Sequence, residues 1–168
     1  MKIIVVADTH MPRMAKKLPD RLLWELRDAD TVIHAGDWTQ LSIYEELAAH
    51  APTVGVAGNN DGPGIIKLFG YRKQLEFEGH QIGIVHGHGT GKRINTEQRA
   101  LDSFKGTSVD VILFGHSHIP LQKRVGSVLL FNPGSPTDKR RQPRYSFGVL
   151  QLNPGAIKAE HIFYDDKS

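Results

Sequence analysis

Residues 3–10 of the chain read Ile-Ile-Val-Val-Ala-Asp-Thr-His, an apolar and largely β-branched run that ends abruptly in a carboxylate and an imidazole. Such a run predicts a buried strand, and the side chains of Asp8 and His10 that follow it are of types that ligate metal ions. Four further apolar runs occupy residues 31–35, 53–57, 81–86 and 109–114. Each of these also ends in, or is followed by, a polar residue of the ligand type, so the pattern repeats along the chain.

The segments between and after these runs indicate the fold class. Residues 18–29, 41–50 and 96–104 have helical character and alternate with predicted strands. Gly79-His80 and Gly126-Ser127 each separate two strand-like runs, which predicts β-hairpins, and two last runs at 146–152 and 157–163 flank residues 153–155. Parallel strand–helix units followed by hairpins predict an α/β fold with a mixed sheet or with two packed sheets.

The bulk composition narrows the class of protein. A chain of 168 residues with 39% hydrophobic and 23% charged residues predicts one globular domain over residues 1–168. The absence of cysteine excludes disulfides, a thiolate zinc site and a cysteine nucleophile, so any metal must use nitrogen and oxygen ligands. The first apolar run is too short for a signal peptide or a membrane span, which predicts a cytoplasmic protein without a membrane partner. A net charge of +3 and one basic run at 139–144 give no support for a nucleic-acid partner.

The polar residues at the strand ends form a candidate metal site. In α/β sheets, ligands gather beyond the carboxyl ends of strands, so residues that are scattered in sequence can meet there. The candidate ligands are Asp8, His10, Asp37, Asn59, His86, His116 and His118. In-line attack on phosphorus is assisted by two ions about 3.5–4 Å apart, and a carboxylate can span them, which makes Asp37 the predicted bridging ligand.

These motifs resemble a known family. Asp8-Thr9-His10, Gly36-Asp37, Gly58-Asn59, His86 and Gly115-His116-Ser117-His118 resemble, in order and over nearly the whole chain, the signature of the calcineurin-like metallophosphoesterases. The small size and the sequences at 58–61 and at 132–135, Asn-Pro-Gly-Ser, resemble the compact bacterial and archaeal phosphodiesterase branch, which includes the retromer subunit Vps29.

The resemblance implies a fold, a cofactor and a reaction. The fold is a four-layer αββα sandwich with two mixed sheets. The cofactor is a pair of divalent ions, with Mn²⁺ favoured and Fe²⁺, Ni²⁺ or Zn²⁺ as alternatives. One ion would take Asp8, His10, Asp37 and His118, and the other Asp37, Asn59, His86 and His116. The reaction is hydrolysis of a small-molecule phosphate ester by hydroxide that bridges the ions. A phosphodiester is the favoured substrate, and a monoester is the alternative.

The chain departs from the family pattern at Asn60, where many members carry a histidine that assists the leaving group. The small phosphodiesterase branch often lacks this histidine too. A neutral amide cannot donate a proton as an imidazolium can, so Asp61 and His88 are the alternative donors. The predicted catalytic residues are Asp37, Asn60 and Asp61.

Competing hypotheses come from other classes of protein. A non-catalytic interaction scaffold of the Vps29 type would typically have lost ligands at the Gly-Asp or Gly-Asn motif, and both are intact here at Asp37 and Asn59. Among single residues, His34 inside a strand is predicted to be a hydrogen-bonded core histidine, and Asn132 is a candidate for supporting the metal site. The substrate, the native metal and any homo-oligomer are left open by the sequence.

Overall fold

The computed structural model describes residues 1–91 and 94–168 and contains four helices and ten strands within them. In chain order they are β1 (Lys2–Val6), α1 (Asp20–Leu26), β2 (Thr31–His34), α2 (Leu41–Ala48), β3 (Thr53–Gly55), α3 (Pro63–Phe69), β4 (Arg72–Phe77), β5 (His80–Val85), α4 (Thr96–Ser103), β6 (Val111–Leu113), β7 (Leu121–Val125), β8 (Val128–Asn132), β9 (Tyr145–Asn153) and β10 (Ala156–Tyr164). None of the helices among the described residues has the length and apolar character needed to cross a membrane.

The strands form two five-stranded sheets. The first sheet has the order β10-β9-β1-β2-β3, and the second has the order β4-β5-β6-β8-β7. β1, β2 and β3 pair in parallel, whereas β9 is antiparallel to both β1 and β10. In the second sheet β5, β6 and β8 are parallel, and β4 and β7 are antiparallel edge strands. Both sheets are therefore mixed, as predicted.

Three hydrophobic clusters show how the layers stack. Ile4 and Val6 of β1 pack with Leu22 and Leu47 of the first two helices on one face of the first sheet. The alternate residues of β1, Ile3 and Val5, instead pack against residues of the second sheet such as Ile84 and Leu113. Because successive side chains of a strand point to opposite faces, β1 is buried on both sides. A third cluster joins α4 to the outer face of the second sheet. The order is helices, sheet, sheet, helix, so the predicted αββα sandwich is confirmed.

The sequence missed one helix, α3. Its first residue is Pro63, which suits the first turn of a helix because that position needs no intrahelical N–H donor. The segment has only seven residues, too few for a clear 3.6-residue period. The predicted hairpins are confirmed, but the β4–β5 turn is Glu78-Gly79 rather than Gly79-His80, since His80 pairs with Phe77. Glu78 and Gly79 both have positive φ, as a tight two-residue turn requires.

Candidate metal centre

The candidate ligands follow the carboxyl ends of parallel strands in both sheets. Asp8 and His10 follow β1, Asp37 follows β2 and Asn59 follows β3, all in the first sheet. His86 follows β5, and both His116 and His118 follow β6, in the second sheet. Parallel strands end at the same edge, and the two sheets are packed face to face, so the structure brings these residues together at one end of the sandwich.

The backbone is strained where the ligands leave their strands. Within residues 1–91 and 94–168, eight residues other than glycine have positive φ. Five of them are candidate ligands: Asp8 (55°), His10 (44°), Asp37 (62°), His116 (71°) and His118 (62°). Left-handed backbone is unfavourable for residues with a Cβ, and such conformations concentrate at functional sites. The turns must therefore be held in place by their surroundings.

Two groups of donor atoms lie within reach of a shared ion. Asp8, His10 and His118 form the first group, and Asp37, His86 and His116 form the second. In the first group, Asp8 Oδ1 lies 3.8 Å from His10 Nε2 and 3.6 Å from His118 Nε2. Ligands held about 2.0–2.2 Å from one ion are separated from each other by roughly 3–3.6 Å, so one of these distances lies at the upper end of that range and the other is about 0.2 Å beyond it.

Asp37 lies between the two groups. Its Oδ2 atom is 3.2 Å from His86 Nε2 in its own group and 3.4 Å from His10 Nε2 in the other. The backbone N–H and the side-chain amide of Asn60 both donate to this carboxylate, at 2.9 Å each. One carboxylate oriented in this way can contact ions in both groups.

The unpaired buried atoms fit bound cations. Asp8 Oδ1, His10 Nε2 and His86 Nε2 are buried without a hydrogen-bond partner. His86 Nδ1 lies 2.8 Å from the carbonyl of Ala35, and a carbonyl can only accept, so Nδ1 carries a proton and Nε2 is the nitrogen that faces the centre. His118 is oriented in the same manner by the carbonyl of Asp138 at 2.5 Å. An outward Nδ1–H···O=C bond is the usual support of a metal-binding imidazole.

Asn59 lies beside the second group. Its Oδ1 atom is 3.2 Å from His116 Nδ1, the same separation as between Asp37 and His86. Both residues are more accessible than the other candidate ligands. This side of the centre is therefore the open side.

The electrostatics of the site favour positive charge. Burial by itself raises the pKa of Asp8, but the imidazoles of His86, His10 and His118 outweigh it and hold the pKa below its usual value. The pKa of Asp37 is also well below its usual value, because its contact with protonated His86 and the bonds from Asn60 outweigh burial. Burial lowers the pKa of His86, but the charges of Asp8 and Asp37 raise it to about 9. Two buried ionised carboxylates require compensating positive charge, which a protonated His86 or a bound cation can supply.

Glycines allow the ligand loops to approach one another. A Cβ at Gly58 would overlap Asp37 Oδ1, and a Cβ at Gly36 would lie 2.5 Å from His86 Nδ1. Gly36 also has φ 102°, where a side chain is strained. These two positions of the Gly-Asp and Gly-Asn motifs therefore need glycine for space.

The carboxylate of Asp61, predicted from sequence as a catalytic residue, is hydrogen-bonded to backbone N–H groups. Its carboxylate accepts from the N–H groups of Asp37 (2.8 Å), Thr39 (2.8 Å) and Gly58 (2.7 Å). Burial raises its pKa, and these three donors oppose that effect. Asp61 thus connects the loop that carries Asp37 to the loop that carries Asn59, and it belongs to neither donor group.

The loop 132–138 supports the ligand turns, a role that the sequence indicated only for Asn132. The side-chain amide of Asn132 donates to the carbonyl of Gly115 at 3.0 Å. Ser135 Oγ donates to the carbonyl of Asp8 at 2.8 Å, and Thr137 Oγ1 donates to the carbonyl of Thr9 at 2.6 Å. The sequence marks Ser135 only as the last residue of the Asn-Pro-Gly-Ser motif and does not mark Thr137, because hydroxyl bonds to backbone carbonyls have no sequence pattern of their own.

His34 is a buried hydrogen-bonded histidine, in agreement with the prediction for it. Its Nδ1 accepts from the N–H of Gly36 at 3.1 Å, so its Nε2 carries the proton and donates to Thr9 Oγ1 at 3.1 Å. Its ring stacks on Trp38 with centroids 4.0 Å apart. Burial lowers the pKa of His34 to about 3. His34 therefore joins the β1 and β2 ligand loops as a neutral side chain.

Comparison with known proteins adds independent evidence. The family model described as the calcineurin-like phosphoesterase superfamily domain matches residues 1–157. A probable metallophosphoesterase of Methanothermobacter thermautotrophicus is 35% identical over 166 residues, covering 96% of this chain and 92% of that protein. A phosphodiesterase of Methanocaldococcus jannaschii is 29% identical over 150 residues, covering 80% and 83%. The crystal structure of Vps29 from Entamoeba histolytica complexed with Zn²⁺ has a TM-score of 0.75 at 24% identity, covering 97% and 99%, and shows likeness of fold.

Proposed function

Because this chain belongs to the calcineurin-like phosphoesterase superfamily, we propose that it is a phosphodiesterase that works with two divalent metal ions. The resemblance to the Methanocaldococcus phosphodiesterase supports a diester as substrate. The residues proposed to hold the ions are Asp8, His10, Asp37, Asn59, His86, His116 and His118.

One observation supports this proposal most strongly. Buried ligand atoms from both sheets face one another without hydrogen-bond partners. They fall into two groups, and the carboxylate of Asp37 lies within 3.4 Å of His10 in the other group. A purely structural cluster would pair these atoms, because leaving a buried polar atom unpaired costs about 1–3 kcal/mol. Two bound ions would lower the pKa of a coordinated water to about 7 and would neutralise the charge of the phosphoryl oxygens of the substrate.

The side chains of this chain then position the reacting groups. Asn60 holds the Asp37 carboxylate with two N–H donors, and its side-chain amide retains a further N–H that can donate to a phosphoryl oxygen. Asp61 fixes the backbone on either side of this contact, so we assign it a positioning role. None of these groups supplies a proton to the leaving alkoxide.

The metal is proposed to be Mn²⁺. Carboxylate, amide and imidazole ligands suit Mn²⁺, Fe²⁺, Ni²⁺ and Zn²⁺, and availability decides among metals that one site can bind. The family resemblance favours Mn²⁺. Metal content of the purified protein, measured by mass spectrometry, separates the four.

The direct test is hydrolysis of bis(p-nitrophenyl) phosphate. We expect turnover with added Mn²⁺ and none with EDTA. Asp37→Ala should lose bound metal and nearly all activity, because this carboxylate would hold both ions. Asp165→Asn, which changes an exposed carboxylate outside both donor groups, is the matched control and should behave as wild type. Wild-type metal stoichiometry and rate in Asp37→Ala would show that the bridging role is wrong. Absence of turnover with all four metals would favour the scaffold hypothesis instead.

A further inference from the structure

A small apolar cleft lies directly beside the candidate metal centre. Its volume is about 250 Å³. Ser117, which lines the cleft, stands between His116 and His118 in sequence, so one turn presents imidazoles to the centre and a hydroxyl to the cleft. Adjacent Cα atoms are about 3.8 Å apart, so the wall of the cleft at Ser117 lies next to the candidate ligands His116 and His118 along the chain.

The described residues that line the cleft are mostly uncharged. They are Asn95, Thr96, Glu97, Phe114, Ser117, Ile119 and Leu121. Glu97 is the one charged member of this set, and its carboxylate pairs with Lys123 at 3.2 Å. An anionic group that entered the cleft would be repelled by the carboxylate of Glu97, and Lys123 is already paired with that carboxylate.

Two features of the lining are suited to a ligand. Ile119 is a large apolar side chain that is 49% exposed, and covering it with an apolar group would be favourable. Ser117 Oγ accepts from the amide of Asn132 and from the N–H of Ile119, which leaves its own proton free to donate. The cleft thus offers apolar contact with one hydroxyl donor.

We propose that this cleft binds one alcohol arm of the phosphodiester substrate and selects an arm that is uncharged and aromatic or otherwise apolar. The inference rests on the proposed function. Pockets for whole ligands are usually about 300–1,000 Å³, so this smaller cleft accommodates one arm while the phosphate stays at the metal centre. Ile119 is then a specificity-determining residue, and Glu97 disfavours arms that carry a second phosphate or a carboxylate.

Symmetrical diesters test this without any assumption about which arm departs. Diphenyl, dimethyl and bis(4-carboxyphenyl) phosphate are compared as ligands of the Mn²⁺-loaded protein, by calorimetry and by inhibition of bis(p-nitrophenyl) phosphate hydrolysis. We expect diphenyl phosphate to bind about tenfold or more tightly than dimethyl phosphate, as for contacts in apolar pockets generally. The carboxylated diester should bind more weakly than diphenyl phosphate.

Variants assign the effect to the cleft. Ile119→Ala should remove most of the preference for diphenyl phosphate and leave dimethyl phosphate binding unchanged. Phe163→Ala is the matched control, because Phe163 is a similarly exposed apolar residue on β10 of the other sheet. Glu97→Gln frees Lys123 and should strengthen binding of the carboxylated diester alone.

Equal binding of diphenyl and dimethyl phosphate, or an unchanged preference in Ile119→Ala, would overturn the proposal. These outcomes are distinct from failure of the proposed function, which is absence of metal-dependent turnover. Calorimetry still reports selectivity between the alcohol arms when no hydrolysis occurs. Hydrolysis without such selectivity would support the proposed function and contradict the proposed role of the cleft.

Discussion

At the residue scale, the side chains of the centre divide into those that direct a donor atom inward and those that hold a neighbour in place. Asp8 and His86 belong to the first kind, with buried atoms that find no partner in the protein. Asn60, Asp61 and His34 belong to the second kind, because each bonds to a loop that carries a candidate ligand. Residues of the two kinds should respond differently to substitution.

Asn60→His should change how rate depends on the leaving group. An amide cannot protonate a departing alkoxide, and general acid catalysis is worth about 10²–10⁴-fold, mostly for basic leaving groups. The plot of log rate against leaving-group pKa should be steep for wild type, and Asn60→His should flatten it by accelerating poor leaving groups.

His88→Asn is the companion variant, because His88 lies next to the centre, with its ring 5.4 Å from that of His86. A shallow wild-type plot that becomes steep in His88→Asn and is unaffected by Asn60→His would show that His88 supplies the proton.

His34 should make stability depend on pH. Its pKa is about 3 in the folded chain and about 6.5 when unfolded, so between these values only the unfolded state binds the proton. Its contribution is fully present above pH 6.5 and is lost as pH falls toward 3, by up to about 1.4 kcal/mol per pH unit.

Urea unfolding of the metal-free protein between pH 7 and 4.5 measures this slope. His34→Gln should flatten the acid limb, and His50→Gln, at an exposed site after α2, should leave it unchanged. Identical slopes for wild type and His34→Gln would contradict a neutral buried imidazole.

At the scale of elements, the loops that follow the strands determine the centre. Gly58→Ala should lower kcat/KM by about 100-fold or more, because its Cβ overlaps Asp37 Oδ1 and displacement of a catalytic group by about 1 Å has effects of that size. Gly64→Ala in α3 is the matched control, since its Cβ meets nothing within 4 Å, and it should stabilise the fold by about 0.4–1 kcal/mol. Full activity in Gly58→Ala would mean that the two loops are not closely coupled.

The elements also show how far the sequence could predict this structure. β-branched runs and glycine turns predicted the strands and hairpins, since those signals are local. Polar residues at strand ends predicted which side chains would meet, because parallel strands share a carboxyl edge. The bonds from Ser135 and Thr137 to backbone carbonyls were not predictable, as they depend on how the loop 132–138 packs. The three backbone N–H groups that donate to Asp61 were not predictable for the same reason.

At the scale of the whole molecule, each donor group draws on both sheets. The first joins Asp8 and His10 of the first sheet to His118 of the second, and the second joins Asp37 to His86 and His116. An ion in either group would therefore connect the two sheets as well as serve chemistry.

Metal loading should raise the thermal midpoint of unfolding. A ligand that binds only the folded state at 100 times its Kd contributes about 2.7 kcal/mol, which corresponds to about 5–10 °C for a chain of this size. Calorimetry with Mn²⁺ and with EDTA measures the shift, and Asp37→Ala should show little of it. An equal shift in Asp37→Ala would locate the stabilising ion elsewhere.

The order of strands in the sheets has a consequence for synthesis on the ribosome. The second sheet uses one continuous stretch, from β4 to β7 and β8, whereas the first places β1 between β2 and the much later β9. The nascent chain can thus complete the second sheet while β1 still has an open edge. Asp8 and His10 follow β1, so we expect the pocket for the ions to form fully only after residues 145–153 have emerged. We therefore expect metal ions to bind only after β9 has been synthesised.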